Sequence, residues 1–103
     1  MKKKLLLYLL IISTSTLLAQ KDNFWLYGKL KDSLSIVKNA NIINLKTNKG
    51  TFSNDFGDYK IIVSVGDTLQ FSSVQHKTVY RIVNNFVYRS EVLDVFMISS
   101  TYE

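Results

Sequence analysis

The chain has 103 residues, with 13 Lys+Arg against 8 Asp+Glu, one histidine and no cysteine. The lack of cysteine excludes disulfides and a lipid attached at an N-terminal cysteine. One histidine among scattered carboxylates falls short of the three or four ligands that zinc takes.

The first residues, "MKKKLLLYLLIISTSTLLAQ", place three lysines ahead of an apolar run from Leu5 to Ile12. That is the layout of a secretory signal, with Leu17 and Ala19 at the −3 and −1 positions of a cut before Gln20. A membrane anchor wants roughly 20 apolar residues, and the hydroxyl side chains of Ser13 to Thr16 interrupt that run. The expectation is a signal peptide over 1–19 and an exported domain over 20–103, with no membrane span after cleavage. Cleavage removes three lysines and leaves ten basic residues against eight acidic ones, a net charge of 10 − 8 = +2. The remaining basic residues are scattered, so nucleic-acid binding loses its support. A domain this small buries only about 60% of its unfolded surface. With no disulfide to help, its core must come from aliphatic and aromatic side chains.

From Phe24 onward the apolar pattern has period two. "FWLYGKLK" alternates Phe24, Leu26 and Leu30 with Trp25, Tyr27, Lys29 and Lys31. "NANIINLKTN" and "GTFS" are short pieces, and "GDYKIIVSVGD" sets Tyr59, Ile61 and Val63 against Lys60, Ile62 and Ser64. "DTLQFSSV", "KTVYRIV" and "EVLDVFMIS" follow. Six or seven short strands at this spacing predict an all-β sandwich or barrel, and no window of a dozen residues has the period of an amphipathic helix.

Between the third and fourth pieces lies "SNDFGDY". Asn54 and Asp55 bond readily to their own backbone and Gly57 takes positive φ, so the stretch is expected to be a turn. A calcium loop of the EF-hand type needs alternating ligands closed by a bidentate Glu, and here Asp55 and Asp58 are followed by Lys60. Gly66 and Asp67 predict a second turn. The resulting structural-turn set is Asn54, Asp55, Gly57, Gly66 and Asp67.

The same residues carry a family likeness. Gly28 and Asp32, Asn39-Ala40-Asn41-Ile42, Gly50-Thr51, Ser53-Asn54, Gly57, Tyr59, Gly66-Asp67, Leu69 and Phe71-Ser72 follow in the order of a family pattern. With these, the chain resembles the carboxypeptidase-regulatory-like domain of exported Bacteroidetes proteins over about residues 24–83. It departs at Ile36-Val37, where relatives often carry Pro-Leu, and at Ser73-Val74-Gln75-His76, where they often carry a Gly-Tyr ending. The resemblance implies a prealbumin-like (transthyretin-like) seven-strand sandwich. It further implies an accessory module, free-standing or ahead of a TonB-dependent outer-membrane receptor or surface protein.

Catalytic patterns are thin. A Ser-His-Asp arrangement needs an imidazole between a hydroxyl and a carboxylate, and His76 sits where a strand ends, so it reads as a structural histidine. The fold's hydroxyisourate hydrolase branch uses several histidines and a C-terminal Tyr-Arg-Gly-Ser tail. Here Tyr88-Arg89-Ser90 is internal and lacks the glycine. Asp55 and Asp58 lie on a turn rather than across a cleft, unlike a glycosidase pair. The expectation is a non-enzyme without cofactor or metal, acting in the periplasm, at the outer membrane or outside the cell. Its candidate partner surface is Trp25, Tyr27 and Lys29, joined by Tyr80 or Tyr88, with the C-terminal "EVLDVFMISS" as a candidate pairing edge. The alternative is a carbohydrate-binding module using the same exposed aromatics; otherwise the partner is an envelope protein or a downstream domain.

Overall fold

Side-chain alternation decides which face of each strand turns inward. A computed structural model describes residues 22–100; the expected signal segment lies outside the described residues. In β1 (Phe24–Lys31), Leu26 and Leu30 are buried while Trp25, Tyr27 and Lys31 face outward. In β4 (Asp58–Val63), Tyr59, Ile61 and Val63 are buried between exposed Asp58, Lys60 and Ile62. β2 (Asn41–Asn44), β3 (Lys49–Phe52), β5 (Thr68–Ser73), β6 (His76–Ile82) and β7 (Val95–Phe96) complete the strands.

They form two sheets, β4-β1-β7 and β3-β2-β5-β6. The fold is all-β, as the period-two pattern predicts, and of the sandwich and barrel that the pattern leaves open it is the sandwich, with seven strands among the described residues. Every neighbouring pair is antiparallel except β1 with β7, where Leu30 faces Val95 in parallel. Leu26, Leu30, Ile42, Leu69, Phe71 and Met97 are fully buried between the sheets. Each such side chain contributes about 1.5–3 kcal/mol relative to exposure. Tyr59 of one sheet meets Phe71 of the other edge-to-face, ring centroids 5.5 Å apart, the arrangement aromatic quadrupoles favour.

Tyr59 also explains Gly28, its partner in the β1–β4 register. A Cβ on Gly28 would stand 1.9 Å from the Leu93 carbonyl oxygen and 2.5 Å from the Tyr59 ring. The bare glycine lets the ring lie across β1, where its hydroxyl donates to Leu93 O at 2.6 Å. Burial and the nearby Asp94 charge push the Tyr59 phenol well above its ordinary range, so it stays a hydrogen-bond donor.

The C-terminal region differs from the long strand its alternation suggests. A short helix, α1 (Asn85–Ser90), precedes it, capped by the Asn84 side chain accepting from Val87 N and closed by Glu91 at φ 60°. β7 is then only two residues long. Beyond it, Lys77 N donates to Ile98 O and Ser100 N to Gln75 O. This segment therefore spans from β1 to the start of β6 and closes one side of the sandwich. Opposite it, β3 and β4 have ladder partners on one edge only.

The turn at Gly57 is a further point of close packing. Gly57 has φ 80°, and a Cβ there would meet Leu30 O at 2.8 Å and Ile36 Cβ at 3.0 Å; Gly66, at φ 97°, has nothing within 4 Å. Gly66→Ala should therefore cost only the left-handed backbone penalty, about 1–2 kcal/mol. Gly57→Ala should cost about 3 kcal/mol or more, because overpacking adds to it. Urea unfolding of both variants measures the difference; equal losses would show that the packing beneath Gly57 gives way freely.

Candidate functional site

Register assembles the outward face of β1. Trp25 and Tyr27 are 47% and 48% exposed, side by side on the outer face of the three-stranded sheet. Across the ladder, Trp25 faces Ile62 and Tyr27 faces Lys60. The Lys60 ammonium lies over the Trp25 ring, 5.1 Å from its centroid, a cation–π contact worth about 0.5–1 kcal/mol at an exposed site. Lys60, which the sequence reading leaves out, is thus the cation of this patch.

Lys29 has other partners. Its Nζ pairs with Asp58 at 2.8 Å and donates to Phe56 O at 2.9 Å, tying β1 to the 53–58 turn. Nor do the other tyrosines join Trp25 in one platform. Tyr88 packs edge-on against Phe24 with centroids 5.1 Å apart, and Tyr80 lies on β6 of the other sheet.

The acidic turn is held by its own side chains. Asn54 Oδ1 accepts from Phe56 N at 2.9 Å and Asp58 N at 3.0 Å, and Gly57 N donates to Asn54 O. With Asp58 paired to Lys29, Asp55 is left exposed at the tip. Among the described residues no group of three or more His, Cys, Asp or Glu converges. Just before the turn, buried Ser53 accepts from Ala40 N and donates to Val37 O. Its hydroxyl thereby satisfies two backbone groups where the chain leaves β3.

Asp67 does similar work at the other turn. Its Oδ2 accepts from Ser64 N at 2.9 Å and from Asn44 Nδ2 at 2.8 Å. Asn44 Nδ2 also reaches Ile62 O at 3.4 Å. Asn44 belongs to one sheet and Ile62 to the other, so this buried pair joins the sheets through hydrogen bonds.

The third polar cluster is one the sequence did not reveal: His76 begins β6 rather than ending a strand, and it stands between a hydroxyl and a carboxylate, the arrangement that the sequence reading set aside. His76 Nε2 lies 2.8 Å from Asp32 Oδ2, and Nδ1 lies 2.9 Å from Ser73 Oγ. The ring side chain is only 7% exposed. A neutral ring with Nε2–H donating to the carboxylate would accept the Ser73 hydroxyl proton at Nδ1, whereas a protonated ring would donate to both oxygens. The hydroxyl has a second engagement, accepting from Gln75 N at 3.2 Å. Ser73 and His76 face each other across a two-residue turn, so their contact follows from the hairpin. The long-range link is Asp32, whose other oxygen accepts from Leu34 N and Ser35 N at 2.9 and 2.8 Å. It fastens the loop after β1 to the β5–β6 hairpin. A concavity of about 550 Å³ opens beside this cluster, lined by Val37, Asn39, Asn41, Ser72 and Gln75 among others.

The signals for these groups differ in reach. Asn54, Gly57 and Asp67 stand out locally because turn chemistry is local. Forty-four positions separate Asp32 from His76, and no spacing rule spans that distance.

Hydrogen bonds from His76, Ser35 and Leu34, in that order, hold the Asp32 carboxyl down from 3.8 to about 2. A depressed folded-state value means that the contribution is fully present above about pH 4 and is lost as pH falls through 2. Asp32→Asn should lower the melting temperature at neutral pH and flatten its decline between pH 4 and pH 2. Thermal scans of both proteins across that window test this; parallel curves would remove Asp32 from the acid response.

No family model matches the chain, and no curated protein matches it either.

Proposed function

We propose that this chain is a non-enzymatic accessory module of the cell envelope, exported through its N-terminal segment, that works by docking a partner. What supports this most is the division of labour among its side chains. Of the groups that could do chemistry, Ser53, Asp58 and Asp67 have partners inside the fold. His76 stands between the Ser73 hydroxyl and the Asp32 carboxylate. We read that trio as a tie between the β5–β6 hairpin and the loop after β1, since Ser73 Oγ also takes the Gln75 N–H and Asp32 the Leu34 and Ser35 N–H groups. Among the large side chains left outward, Trp25, Tyr27 and Ile62 gather with Lys60 on one face. Exposed aromatics beside a cation are what interfaces use as anchors. The resemblance to carboxypeptidase-regulatory-like domains agrees, and it extends the reading to a place at the head of a TonB-dependent receptor or surface protein.

A second reading is carbohydrate binding, favoured by the adjacent rings of Trp25 and Tyr27. It must contend with Lys60, whose ammonium occupies the Trp25 face that a sugar would stack on. Trp25 is the only tryptophan, so its emission reports on that platform alone. Titration with a panel of neutral polysaccharides should leave it unchanged; saturable quenching by one of them would favour the glycan reading. Docking in the envelope predicts that an antibody to the domain finds it in periplasmic, outer-membrane or extracellular fractions. A purely cytoplasmic band would overturn the proposal.

A further inference from the structure

The two sheets turn unlike faces to the outside. Ile42, Leu69 and Phe71 point into the core, so the residues beside them on β2 and β5 point outward. Register places Gly50, Ile43, Gln70 and Tyr80 in one row across the four-stranded sheet. Phe52, Asn41 and Ser72 form the row on one side of it, and Thr68 with Ile82 the row on the other. None of these side chains is charged, in a chain of which 20% is charged. The outer face of the three-stranded sheet, by contrast, carries Lys29, Lys31, Asp58 and Lys60.

The polar groups of this uncharged face are uncommitted. The side chains of Asn41, Gln70, Ser72 and Thr68 have no hydrogen-bond partner among the described residues, whereas Asn44, Ser53 and Asn54 are all engaged. Phe52 and Tyr80 stand on its opposite flanks, 65% and 56% exposed. They are three strand spacings apart across the sheet, roughly 14 Å. Among the described residues no cation lies over the Tyr80 ring, as Lys60 lies over Trp25. At one end of the face, Asn41 and Ser72 also line the concavity beside His76, to which Asn39, Gln75 and Ser35 add further amide and hydroxyl groups. The Asp32 carboxylate in its wall is taken up by His76, Leu34 and Ser35, and Lys38 is the lysine of its lining.

An uncharged strip with unbonded amides and hydroxyls set among apolar and aromatic side chains suits a neutral ligand rich in hydroxyls. A sugar ring is such a ligand, with C–H faces to lie on Tyr80 and hydroxyls to bond the amides. A second copy of the chain fits poorly. The strip extends roughly 14 Å across the strands and about as far along them, on the order of 200 Å², against about 800 Å² per partner in a stable protein interface. We propose that the outer face of β3-β2-β5-β6, with the concavity at its Asn41 end, binds a segment of a neutral polysaccharide. Asn41 and Gln70 bond ring hydroxyls, Tyr80 stacks on one sugar, and the concavity receives a chain end or branch. This site goes beyond the docking reading and lies on the other sheet from Trp25.

The test uses the 15N-labelled protein and hexasaccharides of β-1,4-linked glucose, xylose and mannose and of β-1,3-linked glucose, with polygalacturonate as a charged comparison. At least one hexasaccharide should shift the side-chain amide signals of Asn41 and Gln70 saturably while Trp25 emission stays constant. Tyr80→Ala and Gln70→Ala, both outside the core, should each weaken that binding about tenfold or more. Tyr27→Ala, on the other sheet, should leave it unchanged. Silence from all four sugars, or stronger binding of polygalacturonate, would overturn the proposal. So would shifts confined to Trp25 and Tyr27, or binding that both variants retain. Concentration-dependent shifts of the Asn41 and Gln70 amides without sugar would assign the face to a second copy instead. If no sugar binds while the native protein crosslinks to an envelope partner through Trp25 or Tyr27, the glycan site is wrong and the docking function stands.

Discussion

A buried amide held against a buried carboxylate governs how the two sheets meet. Asn44 ends β2 in the four-stranded sheet, and Asp67 sits where the chain crosses back to that sheet from β4. Neither is solvated, and an unpaired carboxylate at that depth would cost several kcal/mol. The geometry that satisfies both is therefore enforced. Asn44 Nδ2 donates to Asp67 and reaches Ile62 O, Asn44 Oδ1 accepts from Lys46 N, and Asp67 takes the Ser64 N–H. At one end of β4 the sheets are held together by this network. At the other end the Asn54–Gly57 turn does the same through short-range bonds. Between the two pins β4 runs without a ladder partner on its outer edge, close beside β3 of the other sheet.

The polar residues divide by depth. Ser53, Asn44, Asp67 and Tyr59 are buried and fully engaged, and no buried side-chain nitrogen or oxygen among the described residues lacks a partner. At intermediate depth, His76 and Asp32 join segments far apart in the chain. On the surface, Lys29 is committed to the 53–58 turn, whereas Lys60 lies over the Trp25 ring. A surface lysine thus has two meanings here, set by whether a carboxylate shares its neighbourhood.

How much of this was legible depends on the range of each interaction. The inward set Leu26 and Leu30 and the outward set Trp25 and Tyr27 follow from period two, because a pleated strand leaves no other choice. The turns at Gly57 and Gly66 were legible for the same local reason. α1 was not, since six residues are too few to express a helical period and only the cap Asn84 marks its start. In "EVLDVFMIS" Val95 and Met97 turn inward while Val92, Phe96 and Ile98 stay exposed, a division that the alternation of this largely apolar stretch does not mark. It is also silent on partners, and the segment changes from β1 to β6 partway along. The cation beside Trp25 is Lys60 rather than Lys29 because a cross-strand diagonal depends on register, which turn and ladder set together. Asp32 with His76 is a contact of pure topology.

The parallel pairing of Leu30 with Val95 has a bearing on the order of folding. Every other strand pair joins segments that arrive within a few dozen residues of one another, so hairpins such as β2–β3 and β5–β6 form with little loop to close. β1 must wait for a strand 65 residues downstream. The entropy of closing so long a loop must be met before the contact returns anything. A chain emerging N-terminus first therefore carries β1 with one edge vacant until almost the whole domain has appeared. Completion is a late, single event in which the last segment seals the first strand and the β6 hairpin together.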